Sequence, residues 1–274
     1  MQKIERQAIQ LHEIIKIARQ AGAEIMAFYA NRGERAIRPS YKADRSPLTE
    51  ADLAAHHCIV AALQSYTPHL PILSEEAPAP PYEIRKTWTQ FWLIDPLDGT
   101  REFVDGHPDF TVNIALIDED RVTMGVMYAP VLDVLYYAEA GAGAFKQVQD
   151  TVTKIRVDAS LSLPLRMATT RSHGSKALES FIERLSASHQ ISRMARGSAL
   201  KFGLVAEGAV HVYPRFGPTM EWDIAAGQCI VEAAGGSVVD LAGRPLRYNK
   251  PDLHSPRFIA LGPPDIPWQQ NLPL

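Results

Sequence analysis

Cysteine is almost absent from this chain: Cys58 and Cys229 are the only two in 274 residues. Both sit in apolar, helix-like stretches. They read as small core hydrophobes rather than a disulfide, and a reducing compartment, the cytoplasm, fits them. Long hydrophobic runs are also missing. No segment reaches the roughly 20 apolar residues that a membrane helix needs. The opening stretch MQKIERQAIQLHEIIKIARQAG is charged throughout and lacks the apolar core of a signal peptide. Neither sign of charge is in excess: 28 Lys and Arg against 31 Asp and Glu leave a formal net charge of −3. That balance, with no Lys/Arg-rich run, speaks against nucleic-acid binding. Repeats and low-complexity tracts do not occur.

What is present is ordinary globular composition, 46% apolar and 22% charged. The length suits one large domain or two packed lobes. From Ile4 to Tyr29, apolar residues at Ile14, Ile15, Ala18, Ile25 and Phe28 follow helical spacing. Their apolar face is expected to pack on the protein rather than on a lipid surface. Thr49 with Glu50 and Asp52 reads as an N-cap and acidic first turn for a helix over LAAHHCIVAALQSY. Ile72 and Leu73 read as a short strand, and Phe91 to Ile94 as a buried one. TVNIALI, RVTMGVMYA and VLYYAEA then alternate as an antiparallel meander, which GAGAF and KIRV continue. Beyond Leu163 strands and helices alternate, with a helix over Ile224–Ala234. The pattern predicts a layered α+β fold. It divides softly near Leu163 into an α+β lobe over 1–162 and an α/β lobe over 163–274, packed as one unit.

Carboxylates end the strands. Asp95-Pro-Leu-Asp98-Gly-Thr100 follows the apolar run Phe91–Ile94 at once. Two aspartates there repel one another unless a cation lies between them. Ser74-Glu75-Glu76 closes another strand, and Glu221-Trp222-Asp223 opens a helix. Strand ends of layered α/β proteins are where sites are built. Hard oxygen ligands favour Mg²⁺ or Mn²⁺ over zinc. Pro96 sets the backbone, and Gly99 allows close approach of a ligand. The N–H groups that follow Gly99 can receive phosphate. Taken singly, these features have plainer readings: a type I turn with a cap, a helix cap at Asp223, a solvated Lys201, a strand-end Arg215 and a loop His173.

Together the motifs resemble the inositol-monophosphatase superfamily. Trp92-Leu-Ile-Asp-Pro-Leu-Asp-Gly-Thr100 matches its first signature, Trp222-Asp-Ile-Ala-Ala-Gly227 its second, and Ser74-Glu75-Glu76 its acidic element, all in order along nearly the whole chain. DGTREF, TRSH, GSALKFGLVAEG and VYPRFGPTMEWDIAAGQ are most similar to the CysQ-type 3′(2′),5′-bisphosphate nucleotidases.

The resemblance implies a layered αβαβα sandwich. It also implies that Glu75, Asp95, Asp98 and Asp223, with the carbonyl of Leu97, ligate two or three Mg²⁺ ions, Mn²⁺ being the alternative. Thr100 and Glu75 would position and deprotonate the attacking water, and Asp52 would orient the Thr100 hydroxyl. Gly99 and Thr100 would meet the scissile phosphate. His173, Ser198, Lys201, Arg215 and Asp223 would hold the rest of the nucleotide. Glu76 would add to an outer metal position. Glu221, where related nucleotidases carry a neutral residue, either points away or alters the outer shell of a metal. A second phosphate needs cations, and Lys201 and Arg215 supply them as a point charge and a bidentate fork.

The implied reaction removes the 3′-phosphate of adenosine 3′,5′-bisphosphate to give AMP, and extends to its 5′-phosphosulfate analogue, in sulfur metabolism. Lithium sensitivity is implied with it. The alternatives are an inositol- or sugar-phosphate phosphatase of the same fold and, from another class, a non-catalytic nucleotide binder. The expected partner is a small nucleotide rather than nucleic acid. The expected address is the cytoplasm, with the cytoplasmic face of the inner membrane as the alternative.

Overall fold

Apolar residues recur every three or four positions between Ile14 and Tyr29, and this segment forms helix α1 (Leu11–Ala30). Its stripe of Ile14, Ile17, Ala18, Ala21, Ile25 and Tyr29 is buried, so the apolar face is consumed by packing. The computed structural model describes residues 9–31, 40–41, 47–171, 175–263 and 266–273. The beginning of the expected first helix, from Ile4, lies outside them. A two-stranded ribbon follows, β1 (Ser40–Tyr41) and β2 (Pro47–Leu48), and then α2 (Glu50–Tyr66). The Asp52 carboxylate accepts from the Thr49 N–H at 2.8 Å and from its hydroxyl at 2.5 Å, which closes the helix start.

The first sheet has seven strands in sequence order: β3 (Ile72–Ser74), β4 (Gln90–Asp98), β5 (Thr111–Asp118), β6 (Arg121–Ala129), β7 (Val134–Glu139), β8 (Gly143–Val148) and β9 (Thr151–Ile155). Short helices α3 (Tyr82–Arg85) and α4 (Thr100–Val104) flank β4. Only β3 and β4 run parallel; the rest is the expected meander. β4 corrects one expectation. The strand does not stop at Ile94 but continues through Asp95 to Asp98, with a break in register between those two aspartates. That break re-aims the chain where the carboxylates stand.

The second sheet is mixed, ordered β11 (Ile191–Ala195), β10 (Leu165–Thr169), β12 (Val212–Arg215), β14 (Phe258–Leu261) and β13 (Ser237–Asp240). Its helices are α5 (Lys176–Ser186), α6 (Leu200–Ala206) and α7 (Ala225–Ala233). Three apolar cores stack through the molecule. One lies between α1, α2 and the first sheet. The second joins the other face of that sheet to α6, α7 and the second sheet. The third lies between the second sheet and α5. The order is therefore helix, sheet, helix, sheet, helix, the expected αβαβα sandwich. Gly227 lets α6 and α7 close on each other: a Cβ there would stand 2.3 Å from the Phe202 ring. Cys229 is buried and Cys58 half-buried, both as free thiols. Among the described residues, no helix is long and apolar enough to cross a membrane.

Candidate metal and phosphate site

Parallel pairing of β3 with β4 sets Ser74 beside Ile94, and the Glu75 N–H donates to the Ile94 carbonyl at 3.2 Å. Glu75 is thereby delivered next to Asp95. Asp223 arrives from the other side, just ahead of α7. It does not cap that helix; its carboxylate accepts from the Met220 N–H at 2.9 Å. One carboxylate oxygen from each of Glu75, Asp95 and Asp223 lies within 4.8 Å of the others. Three segments far apart in sequence meet at one point.

The electrostatics of this point are unfavourable without a cation. Burial pushes the Asp95 carboxyl well above the usual range, and Glu75, Asp98 and Asp223 push it further. Burial and then Asp98 do the same to Asp223, against the Met220 N–H. The site must hold protons or positive ions. All its donors are hard carboxylate oxygens, the set that suits a divalent cation such as Mg²⁺ or Mn²⁺.

Asp98 stands outside that three-residue group. Burial raises its pKa, while Lys201, Ser198, the Ala199 N–H and Arg215 pull it down. The Ala199 N–H donates to Asp98 Oδ2 at 2.5 Å. Its charge nevertheless acts on both Asp95 and Asp223. Asp98 thus links the carboxylate group to the neighbouring cleft. Glu76 is also outside the group; its N–H donates to the Ser74 hydroxyl at 3.3 Å. Glu221 points away: its buried carboxylate is paired with the Lys250 ammonium and accepts from the Asn249 N–H at 2.7 Å.

Behind the carboxylates, the Thr100 hydroxyl donates to Asp52 Oδ1 at 3.0 Å and lies 3.3 Å from the Leu97 carbonyl. The Leu97 N–H donates to Asp95 Oδ1 at 3.1 Å. Gly99 caps α4 with a left-handed backbone, φ +96°. A Cβ there would also come within 3.2 Å of the Asp109 carbonyl and of Ser198.

A cleft of about 340 Å³ opens from this point, lined by Asp98, Gly99, Thr100, Ser198, Lys201, Arg215 and Asp223 among others. Lys201 is nearly buried. Its ammonium donates to the Ser198 carbonyl at 2.5 Å and to the Arg196 carbonyl at 3.3 Å, and lies 5.3 Å from the Tyr213 ring centroid. Burial pulls its pKa down to about 8, with Asp98 opposing. Arg215 donates from Nη2 to the Pro218 carbonyl at 3.2 Å, while its buried Nε has no partner among the described residues. The Ser198 hydroxyl pairs with that of Thr111 at 2.7 Å. His173 lies outside the described residues.

Sequence reading passed over Arg101 and Arg196, which also line the cleft. It also passed over Asp109, buried and accepting from Arg171 Nε at 2.5 Å and from the Gly197 N–H at 3.1 Å. Arg101 stands inside the stretch DGTREF, and Arg196 directly precedes GSALKFGLVAEG. Asp109 gave no signal, because its partners come from distant segments.

The crowded carboxylates set a pH dependence for the metal-free protein. Asp95 and Asp223 bind protons more tightly folded than unfolded, so folding stability falls as pH rises from the ordinary carboxylate range through their raised values. The penalty is complete above those values. Unfolding midpoints in EDTA are expected to drop from this source toward neutral pH, and millimolar Mg²⁺ is expected to abolish the drop. Identical pH profiles with and without Mg²⁺ would contradict it.

The model of the inositol monophosphatase family matches residues 10–265. A curated relative from Escherichia coli strain K12, a 3′(2′),5′-bisphosphate nucleotidase CysQ, is 45% identical over 254 residues, covering 92% of this chain and 97% of its own. One of the same name from Haemophilus influenzae is 34% identical, covering 94% and 95%. Among solved structures, CysQ from Bacteroides thetaiotaomicron superposes with a TM-score of 0.80 at 39% identity, over 92% of this chain and 96% of that one. An inositol monophosphatase of Thermotoga maritima gives 0.76 at 31%, over 92% and 91%.

Proposed function

The chain belongs to the inositol monophosphatase family, and from that membership we propose that it is a 3′(2′),5′-bisphosphate nucleotidase. It removes the 3′-phosphate of adenosine 3′,5′-bisphosphate to yield AMP and inorganic phosphate. The observation that carries this choice within the family is the mixed charge of the cleft lining. The carboxylates Asp98 and Asp223 line it together with Arg101, Arg196 and Arg215. A substrate with one phosphate to cleave and another to hold fits that lining. A ring carrying a single phosphate leaves the second set of charges unused.

Glu75, Asp95 and Asp223, with Asp98 and the Leu97 carbonyl, hold two or three Mg²⁺ ions. When bound there, Mg²⁺ supplies Lewis-acid stabilisation of the phosphoryl charge and acidifies the attacking water. The Thr100 hydroxyl, aimed at Asp52 Oδ1, presents its lone pairs to that water. Thr100 takes the water's proton as its own passes to Asp52, and Glu75 orients the water from the other side. The backbone at Gly99 and Thr100, opening α4, meets the equatorial oxygens of the phosphoryl group. Arg215 engages the phosphate that is kept. Lys201, committed to the Ser198 and Arg196 carbonyls, contributes positive charge from beneath the cleft and holds the loop that lines it.

A substrate panel tests the reading. With Mg²⁺, phosphate release from adenosine 3′,5′-bisphosphate is expected to exceed that from inositol 1-phosphate by at least about tenfold in kcat/KM, a difference of about 1.4 kcal/mol in transition-state binding. Its 5′-phosphosulfate analogue should also be cleaved, and LiCl should inhibit. Faster turnover of inositol 1-phosphate would transfer the reading to an inositol phosphatase, and no Mg²⁺-dependent release from any substrate would end it.

A further inference from the structure

Asn113 sits in the middle of β5, in the run Val112–Ile117, where every other residue is apolar and buried. It is itself 1% exposed, and neither Nδ2 nor Oδ1 has a hydrogen-bond partner among the described residues. Buried carboxamides in strands are uncommon, and one with both ends unpaired carries its full desolvation cost without return. Such a group is retained where something other than the fold needs it.

Its position says what that is. In the β4–β5 ladder Asn113 pairs directly with Asp95, so the two side chains share a face of the sheet. On the other side it pairs with Met127, which offers no strong partner. The next residue in the row, Tyr136, donates its hydroxyl to Glu207 at 2.9 Å. Asp95 is thus the polar side chain next to Asn113 across the ladder. One Asp95 oxygen is held by the Leu97 N–H at 3.1 Å, and the carboxylate belongs to the group with Glu75 and Asp223.

We propose that Asn113 is a positioning residue for the metal site. With a divalent cation bound, its amide N–H would turn to the Asp95 carboxylate across the ladder and hold it in ligating orientation, and its carbonyl would be free to accept from a water of the site. The unpaired atoms are the share of the site that the bound ion completes. The inference rests on the metal reading above.

Calorimetric Mg²⁺ titration of wild type, Asn113→Leu and Asn113→Ser, each after EDTA treatment and dialysis, tests it. Leu conserves volume and removes both unpaired polar atoms, so metal-free Asn113→Leu should melt at or above the wild-type temperature. Its Mg²⁺ dissociation constant should rise about 10- to 100-fold. Asn113→Ser, which keeps a short donor and acceptor, should recover part of the loss. A residue that only supports the fold would instead lower the melting temperature and leave Mg²⁺ binding alone. If Asn113→Leu does not fold, Asn113→Ser and Asn113→Thr carry the test by the same dissociation constant. Variants that bind Mg²⁺ within about twofold of wild type overturn the inference alone. A wild type that binds no Mg²⁺ overturns the metal reading and this inference with it.

Discussion

Asp95→Asn is expected to lower kcat on adenosine 3′,5′-bisphosphate by about 10³ or more at saturating Mg²⁺, a loss of about 4 kcal/mol of transition-state stabilisation. Asp95 is the buried member of the three-carboxylate group. Asparagine keeps its shape and can still accept from the Leu97 N–H, but it removes a full negative charge from the group of oxygens that would hold the cation. The same substitution should raise the melting temperature of the metal-free protein. Burial and three neighbouring carboxylates make ionised Asp95 costly in the native state, and an amide carries none of that cost. The pairing of the two outcomes is diagnostic. A residue that merely supported the fold would lose activity and stability together. Turnover within tenfold of wild type, or a falling metal-free melting temperature, would remove Asp95 from the role assigned to it.

Thr100→Ala should lower kcat by about 10² to 10³, the range for one positioned proton-transfer group, with Mg²⁺ affinity little changed. The hydroxyl makes the 3.0 Å hydrogen bond to Asp52 and stands beside the Leu97 carbonyl without belonging to the carboxylate group. Thr100→Ser retains the oxygen and should stay within about tenfold of wild type. The partner residue is a poorer probe. Asp52 accepts from Thr49 as well, so Asp52→Asn is expected to weaken the start of α2 along with the reaction. Steady-state kinetics on the two Thr100 variants, with Mg²⁺ titrations alongside, separate proton transfer from ligation. Equal losses in the Ala and Ser variants would show that Thr100 acts through its shape and not its hydroxyl.

Much of the fold was legible because its elements carry strong periodicity. The stripe from Ile14 to Tyr29 and the alternation in TVNIALI and RVTMGVMYA each signal an element and its buried face. The strand that holds the site was less legible. Pro96 and Gly99 look like strand terminators, yet β4 runs on to Asp98 because a register break absorbs the irregularity beside β5. Glu221 illustrates a limit of another kind. Beside Trp222 and Asp223 it resembles one more ligand, but a neighbour 29 positions later, Lys250, claims its carboxylate. Asn113 was visible as a polar letter in an apolar strand, and nothing local says that Asp95 faces it.

The amino-acid order alone determined which residue types stand at strand ends, the family those motifs resemble, and the presence of carboxylates in excess of what local capping needs. Only the tertiary structure decided which of them share a point in space. Parallel pairing of β3 with β4 brings Glu75 to Asp95, and the stacking of α7 on the first sheet brings Asp223. Asp98 stands beside that point, with its Oδ2 taken by the Ala199 N–H. The reason is physical. Side-chain spacing along an element follows from backbone geometry and can be read locally. The meeting of distant carboxylates depends on strand register and core packing, which hold groups together that would otherwise repel.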